Sequence, residues 1–195
     1  MIEADLRWQD GRLVARHARR LPLLPFLWDR WYVRLDRGEA FTLEELLERT
    51  RGRALLLIDV KSLDCRFTPT LISVLREREA TQEVQICSVY WDVLERLRQA
   101  EPGLCLHRTV NTQRRLDALQ SLLDSDALDS GVAIHRSLLS RDLAARLAAR
   151  PIPVLVWPVN DLETARELIS WGVTGLISDS PELLRALKQG ASREG

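Results

Sequence analysis

The sequence predicts an α/β fold of the (β/α)8 TIM-barrel type, with seven of the eight strands of a closed barrel countable. Three observations lead there. From residue 54 onward short apolar runs alternate with amphipathic stretches, as parallel strands joined by helices require. Polar residues recur at or just past the carboxyl ends of the runs: Glu3 and Asp5, His17, Asp59 and Lys61, Ser88, His107, His135 and Trp157. Parallel α/β folds build their sites at those ends. Successive markers from Asp59 through Ser88, His107, His135 and Trp157 to Ser178 lie 29, 19, 28, 22 and 21 residues apart. Units of that size suit a barrel better than an open sheet with long crossovers.

The elements follow in order. Residues 2–6 and 13–16 are strand-like and are joined by the turn signal Asp10-Gly11. Residues 18–41 form an irregular segment rich in Leu, Pro and Trp, whose part 21–32 (LPLLPFLWDRWY) is expected to pack as a lid or plug over a barrel end. The stretch 41–50 reads as a helix, with Thr42 as N-cap and Glu45 completing a capping box. Strands are expected at 54–60, 84–89, 104–107, 131–135, 152–157 and 173–177. With residues 2–6 these make seven strands of one array. Between them, Trp91, Leu94 and Leu97 form an apolar helical stripe, and Leu116, Leu119, Leu122 and Leu123 form another. Ser140 is the expected cap of a helix over 139–150. Asn160 or Asp161 caps one over 160–171 that Gly172 ends. Without a low-complexity linker or a shift in composition, residues 1–195 are expected to form a single domain.

Composition narrows the function classes. Of 195 residues 46% are hydrophobic and 29% charged, which is globular and neither disordered nor membrane-embedded. The 28 basic and 28 acidic residues cancel, arguing against a nucleic-acid partner, which usually leaves a net basic footprint. No run approaches the ~20 apolar residues of a membrane span, and the acidic start does not fit a signal peptide. Cys65, Cys87 and Cys105 are odd in number and lack metal-type spacing, which suits a reduced, cytoplasmic protein. Cys87 is expected in the core.

The chemistry sits in two short patterns. Glu3-Ala-Asp5 places two carboxylates on one face of a strand, because side chains alternate with period two. Asp59-Val60-Lys61 does the same with an acid and a cation. Three carboxylates at one barrel mouth repel unless a hard divalent cation neutralises them. A lysine beside that cation suits an anionic substrate such as a phosphodiester.

On these residues the sequence resembles the glycerophosphodiester phosphodiesterase family. The family pattern E-x-D, T-x-DG-x-L-V-x-x-HD stands here as Glu3-Ala-Asp5, Asp10-Gly11, Leu13-Val14 and His17-Ala18. The TLEELL helix opening occupies 42–47, and the E-x-K strand is Asp59-Val60-Lys61. The S-F…L..L…P stretch runs from Ser88-Val89 through Leu94 and Leu97 to Pro102. The closing motifs stand as Val156-Trp157-Pro158-Val159-Asn160 and as GVTGLISDSP over 172–181.

The resemblance implies a phosphoric diester hydrolase of lipid metabolism, cleaving glycerophosphodiesters to glycerol 3-phosphate and an alcohol. It implies that Glu3, Asp5 and Asp59 hold Mg²⁺ or Ca²⁺, that His17 is one of two catalytic histidines, and that Lys61 steadies the phosphate or a metal ligand. It implies that Trp157 packs against the glycerol moiety. The family's opening strand ending His-Arg-Gly and its first helix have no counterpart here, and Ala18 replaces an aspartate. Loss of one of two acid–base groups typically costs ~10²–10⁴ in rate, so weak or absent activity is expected, with a non-catalytic binder of metal or a glycerophosphoryl ligand as the alternative. His107 and His135 are expected to be ordinary barrel-mouth histidines. A barrel without its first strand leaves an open edge between 173–177 and 2–6, so self-association, or poor stability, is expected.

Overall fold

The computed structural model describes residues 1–20, 26–28, 33–35 and 40–191. It divides into two compact units, Met1–Leu106 and His107–Gly195.

The first unit starts with a hairpin. β1 (Ile2–Gln9) and β2 (Arg12–Ala15) pair antiparallel, with Gln9 opposite Arg12. Asp10 (φ 49°) and Gly11 (φ 81°) both take positive φ, the geometry of a two-residue turn whose twist matches the strands. Beyond it, residues 18–41 depart from the irregular segment that the sequence suggests. β3 (Arg19–Arg20), β4 (Phe26–Trp28) and β5 (Val33–Leu35) form a small antiparallel sheet. Leu27 is buried in it. Of the expected lid 21–32 only Phe26–Trp28 is among the described residues.

α1 (Leu43–Thr50) opens with the expected capping box: Thr42 accepts from the Glu45 amide at 3.3 Å, and the Glu45 carboxylate accepts from the Thr42 amide at 2.8 Å. β6 (Leu56–Val60), α2 (Phe67–Glu77), β7 (Val84–Ser88) and α3 (Trp91–Ala100) follow. β1 pairs parallel with β6, and β6 with β7. One face of these strands carries Leu6, Leu56, Ile58, Val60, Val84 and Ile86. They are buried in one cluster with Leu43 and Leu47 of α1, Phe67, Leu71 and Leu75 of α2, and Leu94 and Leu97 of α3. Alternation turns Glu3, Asp5, Leu57 and Asp59 to the opposite face.

In the second unit β8 (Cys105–Val110), which begins two residues before the boundary, α4 (Gln113–Asp124), β9 (Gly131–His135), α5 (Arg141–Ala148), β10 (Val154–Trp157), α6 (Leu162–Ser170), β11 (Gly175–Leu176) and α7 (Pro181–Ala191) alternate strictly. β8, β9, β10 and β11 pair in that order, all parallel. Ser140 caps α5 as expected. Of the two candidates for α6, Asp161 is the cap, accepting from the Thr164 amide at 2.8 Å. Gly172 (φ 86°) ends the helix. Asn160 serves otherwise: its Oδ1 accepts from the Ser178 hydroxyl at 2.9 Å and the Asp179 amide at 3.0 Å, tying together the segments after β10 and β11.

One placement is corrected. β8 runs on past His107 to Val110, because Arg108-Thr109-Val110 stay in the ladder with Val132–Ile134. His107 is therefore inside a strand, fully buried, rather than at a strand end. Burial holds its pKa down at about 4, so the ring is neutral at neutral pH. The strand expected over 173–177 shrinks to Gly175–Leu176. Among the described residues no helix is long and apolar enough to cross a membrane.

Candidate active site

The first unit gathers five of the six candidate residues. Asp5 and Asp59 are register partners on adjacent parallel strands, and Glu3 lies two residues before Asp5 on the same face. Each of the three offers a carboxylate oxygen, and the three oxygens lie within 4.8 Å of one another. Like charges set directly across a ladder destabilise it, and two features answer that cost. Lys61, just past β6, reaches back so that its ammonium lies 2.5 Å from Asp59 Oδ2 and 3.2 Å from Asp5 Oδ1. Glu3 and Asp59 also hold their protons more tightly than usual.

Burial pushes the Asp59 pKa up to about 6, with Asp5 adding to the rise and Lys61 and Arg7 opposing it. Glu3 is pushed up to about 7, by desolvation first and by the charges of Asp5 and Asp59 next. For Lys61, burial works against the ammonium, but Asp59 and Asp5 outweigh it and raise its pKa.

His17 follows β2, where the Arg16 amide donates to the Asp5 carbonyl at 2.8 Å. That last rung returns the chain to the level of Asp5, and His17 Nε2 lies 3.7 Å from Asp5 Oδ2. The histidine side chain is 71% exposed while Asp5 is 11% exposed, so the ring is open to solvent and to a ligand on one side of the carboxylates.

The donor set suits a hard divalent cation. It consists of three carboxylates, and hard cations take oxygen ligands. Asp59 Oδ1 is buried and has no hydrogen-bond partner among the described residues, which is costly for a carboxylate oxygen unless something positive meets it.

Trp157, the sixth candidate, ends β10 in the second unit. There His135, its register partner at the end of β9, meets it edge-on with ring centroids 5.0 Å apart. His135 Nδ1 lies 2.7 Å from the Ser137 hydroxyl. His135 thus sits at a strand end as expected. Ser88 is fully buried and structural, donating to the Val60 carbonyl and accepting from the Tyr90 amide, both at 3.0 Å. Cys87 is buried, as expected.

The glycerophosphoryl diester phosphodiesterase family model matches residues 42–183, nearly three quarters of the chain. The chain belongs to that family. Membership makes it, by family, a phosphoric diester hydrolase. The matched span includes Asp59, Lys61 and Trp157, whereas Glu3, Asp5 and His17 precede it. No curated protein matches the chain.

Solved structures agree on the fold. A glycerophosphodiester phosphodiesterase from Parabacteroides distasonis superposes with a TM-score of 0.74 at 20% identity, over 99% of this chain and 84% of that one. An Oleispira antarctica phosphodiesterase in complex with the product sn-glycerol-3-phosphate gives 0.70 at 19%, over 95% and 84%. A glycerophosphodiester phosphodiesterase from Agrobacterium tumefaciens gives 0.67 at 18%, over 93% and 85%. The fold class is therefore α/β of the TIM-barrel type.

One residue of the cluster escaped the motif reading. Arg7 stands two positions after Asp5 on the same face of β1 and hydrogen-bonds to three backbone carbonyls beside the site. The alternation that pairs Glu3 with Asp5 also points to Arg7.

Proposed function

We propose that this family member hydrolyses glycerophosphodiesters to glycerol 3-phosphate and an alcohol, using a divalent cation, Mg²⁺ or Ca²⁺, held by Glu3, Asp5 and Asp59. The observation that carries this reading is the convergence of those three carboxylate oxygens within 4.8 Å, flanked by Lys61 and His17. When bound, the cation supplies charge that offsets the phosphoryl oxygens.

The chain's own residues supply the rest. Lys61 keeps a positive charge beside Asp5 and Asp59, where an anionic phosphodiester gains from it. His17 moves a proton through Nε2, to or from an oxygen of the reacting phosphodiester, with Asp5 Oδ2 3.7 Å from that nitrogen. Trp157 packs against the glycerol moiety. In this reading residues 1–195 act as one glycerophosphodiester phosphodiesterase-like domain of lipid metabolism, cytoplasmic, acting on a small molecule rather than nucleic acid, and able to self-associate.

The test is release of glycerol 3-phosphate from glycerophosphocholine, with Mg²⁺ or Ca²⁺ and with chelator. Activity lost in chelator and in His17→Ala, with Trp157→Ala raising KM more than it lowers kcat, is the expected result. Hydrolysis undiminished in His17→Ala and in chelator refutes the mechanism. Cation binding without turnover in the intact chain favours the non-catalytic binder instead.

A further inference from the structure

We propose that Arg7 is a positioning residue that clamps the two candidate catalytic residues, His17 and Lys61, to one another. The inference rests on the reading of His17 and Lys61 given above. Its own basis is the geometry of a single guanidinium. Arg7 Nη2 donates to the His17 carbonyl at 2.9 Å, and Nε donates to the Arg16 carbonyl at 3.1 Å and to that of His17 at 3.3 Å. On the other side Nη1 donates to the Lys61 carbonyl at 3.2 Å. One side chain thus spans the arm after β2 and the end of β6, joining His17 to Lys61 across 44 residues of sequence.

The position of these contacts explains their use. β2 ends at Ala15 and β6 at Val60. The Arg16 amide makes a rung to Asp5 and the Lys61 amide a rung to Leu6. His17 and Lys61 therefore stand where the ladders run out, on either side of β1. Arg7 extends the connection by one step on each side, from the strand that lies between them. It does so through carbonyl oxygens, so it fixes backbone positions and leaves the His17 imidazole and the Lys61 ammonium for other partners. The ammonium uses that freedom to reach Asp5 and Asp59.

Arginine is the residue the task needs. Its planar fork presents five donors in fixed directions, whereas a lysine ammonium is a compact point charge on a flexible stem. Lysine at position 7 would keep the charge beside the aspartates but could not span both carbonyl sets. Reacting groups displaced by about 1 Å can cost ~10²-fold in rate, so loss of the clamp shows in turnover rather than in binding. Glu3, Asp5 and Asp59 are held by the β1–β6 ladder itself, and cation binding does not depend on the clamp.

The experiment compares wild type, Arg7→Lys, Arg7→Ala and His17→Ala. In Arg7→Lys the clamp predicts a kcat lowered about 10- to 100-fold with KM changed less than about threefold, and with Mg²⁺ or Ca²⁺ affinity by calorimetry unchanged within about threefold. Methylguanidine added to Arg7→Ala is expected to restore part of kcat. NMR of ¹³C-labelled histidine gives a readout that needs no turnover, since the chain has only three histidines and His17→Ala identifies the signal. The His17 resonance is expected to shift and sharpen in Arg7→Lys, while those of His107 and His135 stay in place. Full kcat in Arg7→Lys, or an unmoved His17 resonance, overturns the clamp. Should wild type and His17→Ala hydrolyse equally, the catalytic reading fails, and the resonance alone decides whether Arg7 holds that arm.

Discussion

Replacing Asp59 by asparagine should make the cation-free protein more stable, even though it removes a partner of Lys61. Asp59 has a side chain only 13% exposed, and its pKa rises from 3.8 to about 6 on folding. At about 1.4 kcal/mol per pH unit, the charged carboxylate costs on the order of 3 kcal/mol against a neutral side chain of the same shape. Because the folded-state pKa lies above the unfolded one, the folded chain binds the proton more tightly. The stability from this group is fully present below 3.8 and is lost as pH rises through about 6. Equilibrium denaturation in chelator at about pH 8 should find Asp59→Asn more stable by on the order of 3 kcal/mol. At about pH 4 the difference should fall below about 1 kcal/mol. Taking the difference between the two proteins cancels the groups that do not interact with Asp59, His107 among them, and leaves the responses of Glu3 and Lys61, both of which the Asp59 charge raises. A divalent cation at about 100 times its dissociation constant should then stabilise wild type by about 2.7 kcal/mol and the variant far less. Equal stability at about pH 8 in chelator, or a less stable variant, would mean that the Lys61–Asp59 contact outweighs burial. The account of the cluster as strained without its cation would then be wrong.

Two further predictions concern the scaffold. Gly131→Ala would set a Cβ 2.4 Å from His107 Nδ1 and 2.9 Å from Pro153 Cγ. Denaturation should register a loss of about 1–3 kcal/mol, and an unchanged stability would show that His107 can move aside. Thr42→Ala removes half of the capping box of α1, so it should cost about 1 kcal/mol. Glu45→Ala measured in the Thr42→Ala background should cost less than it does alone, because each side chain serves the other's backbone.

Much of the site was legible because period-two alternation acts locally. Glu3-x-Asp5 and Asp59-x-Lys61 each declare a shared face within three residues, and Asp10-Gly11 announces the turn that brings His17 back beside Asp5. The parallel register that sets Asp5 opposite Asp59 is a tertiary fact, and it entered only through the family resemblance. His107 was misplaced because Arg108, a charged residue, reads as the end of a strand. The structure keeps it in the ladder by giving its guanidinium Asp129 at 3.1 Å. Two helices had no clear signal. α2 lacks a side-chain cap, starts after Arg66 and carries Pro69 and several β-branched residues, while the run leading to α7 read as a closing motif rather than as a helix. The three-stranded sheet within 18–41 has strands of two or three residues, too short for any periodicity to appear.

The parity of β1 and β6 has an evolutionary consequence. Asp5 and Asp59 face one way only because Leu6, Ile58 and Val60 face the other. A one-residue insertion or deletion before Asp5 or Asp59 in either strand inverts both sets together, driving carboxylates into the apolar layer and leucines out of it. Substitutions can therefore change the acids one at a time without moving their neighbours. Changes of length in these strands cannot be tuned in that way. Drift in length is confined to the connections, and the site stays anchored to whatever keeps the layer folded.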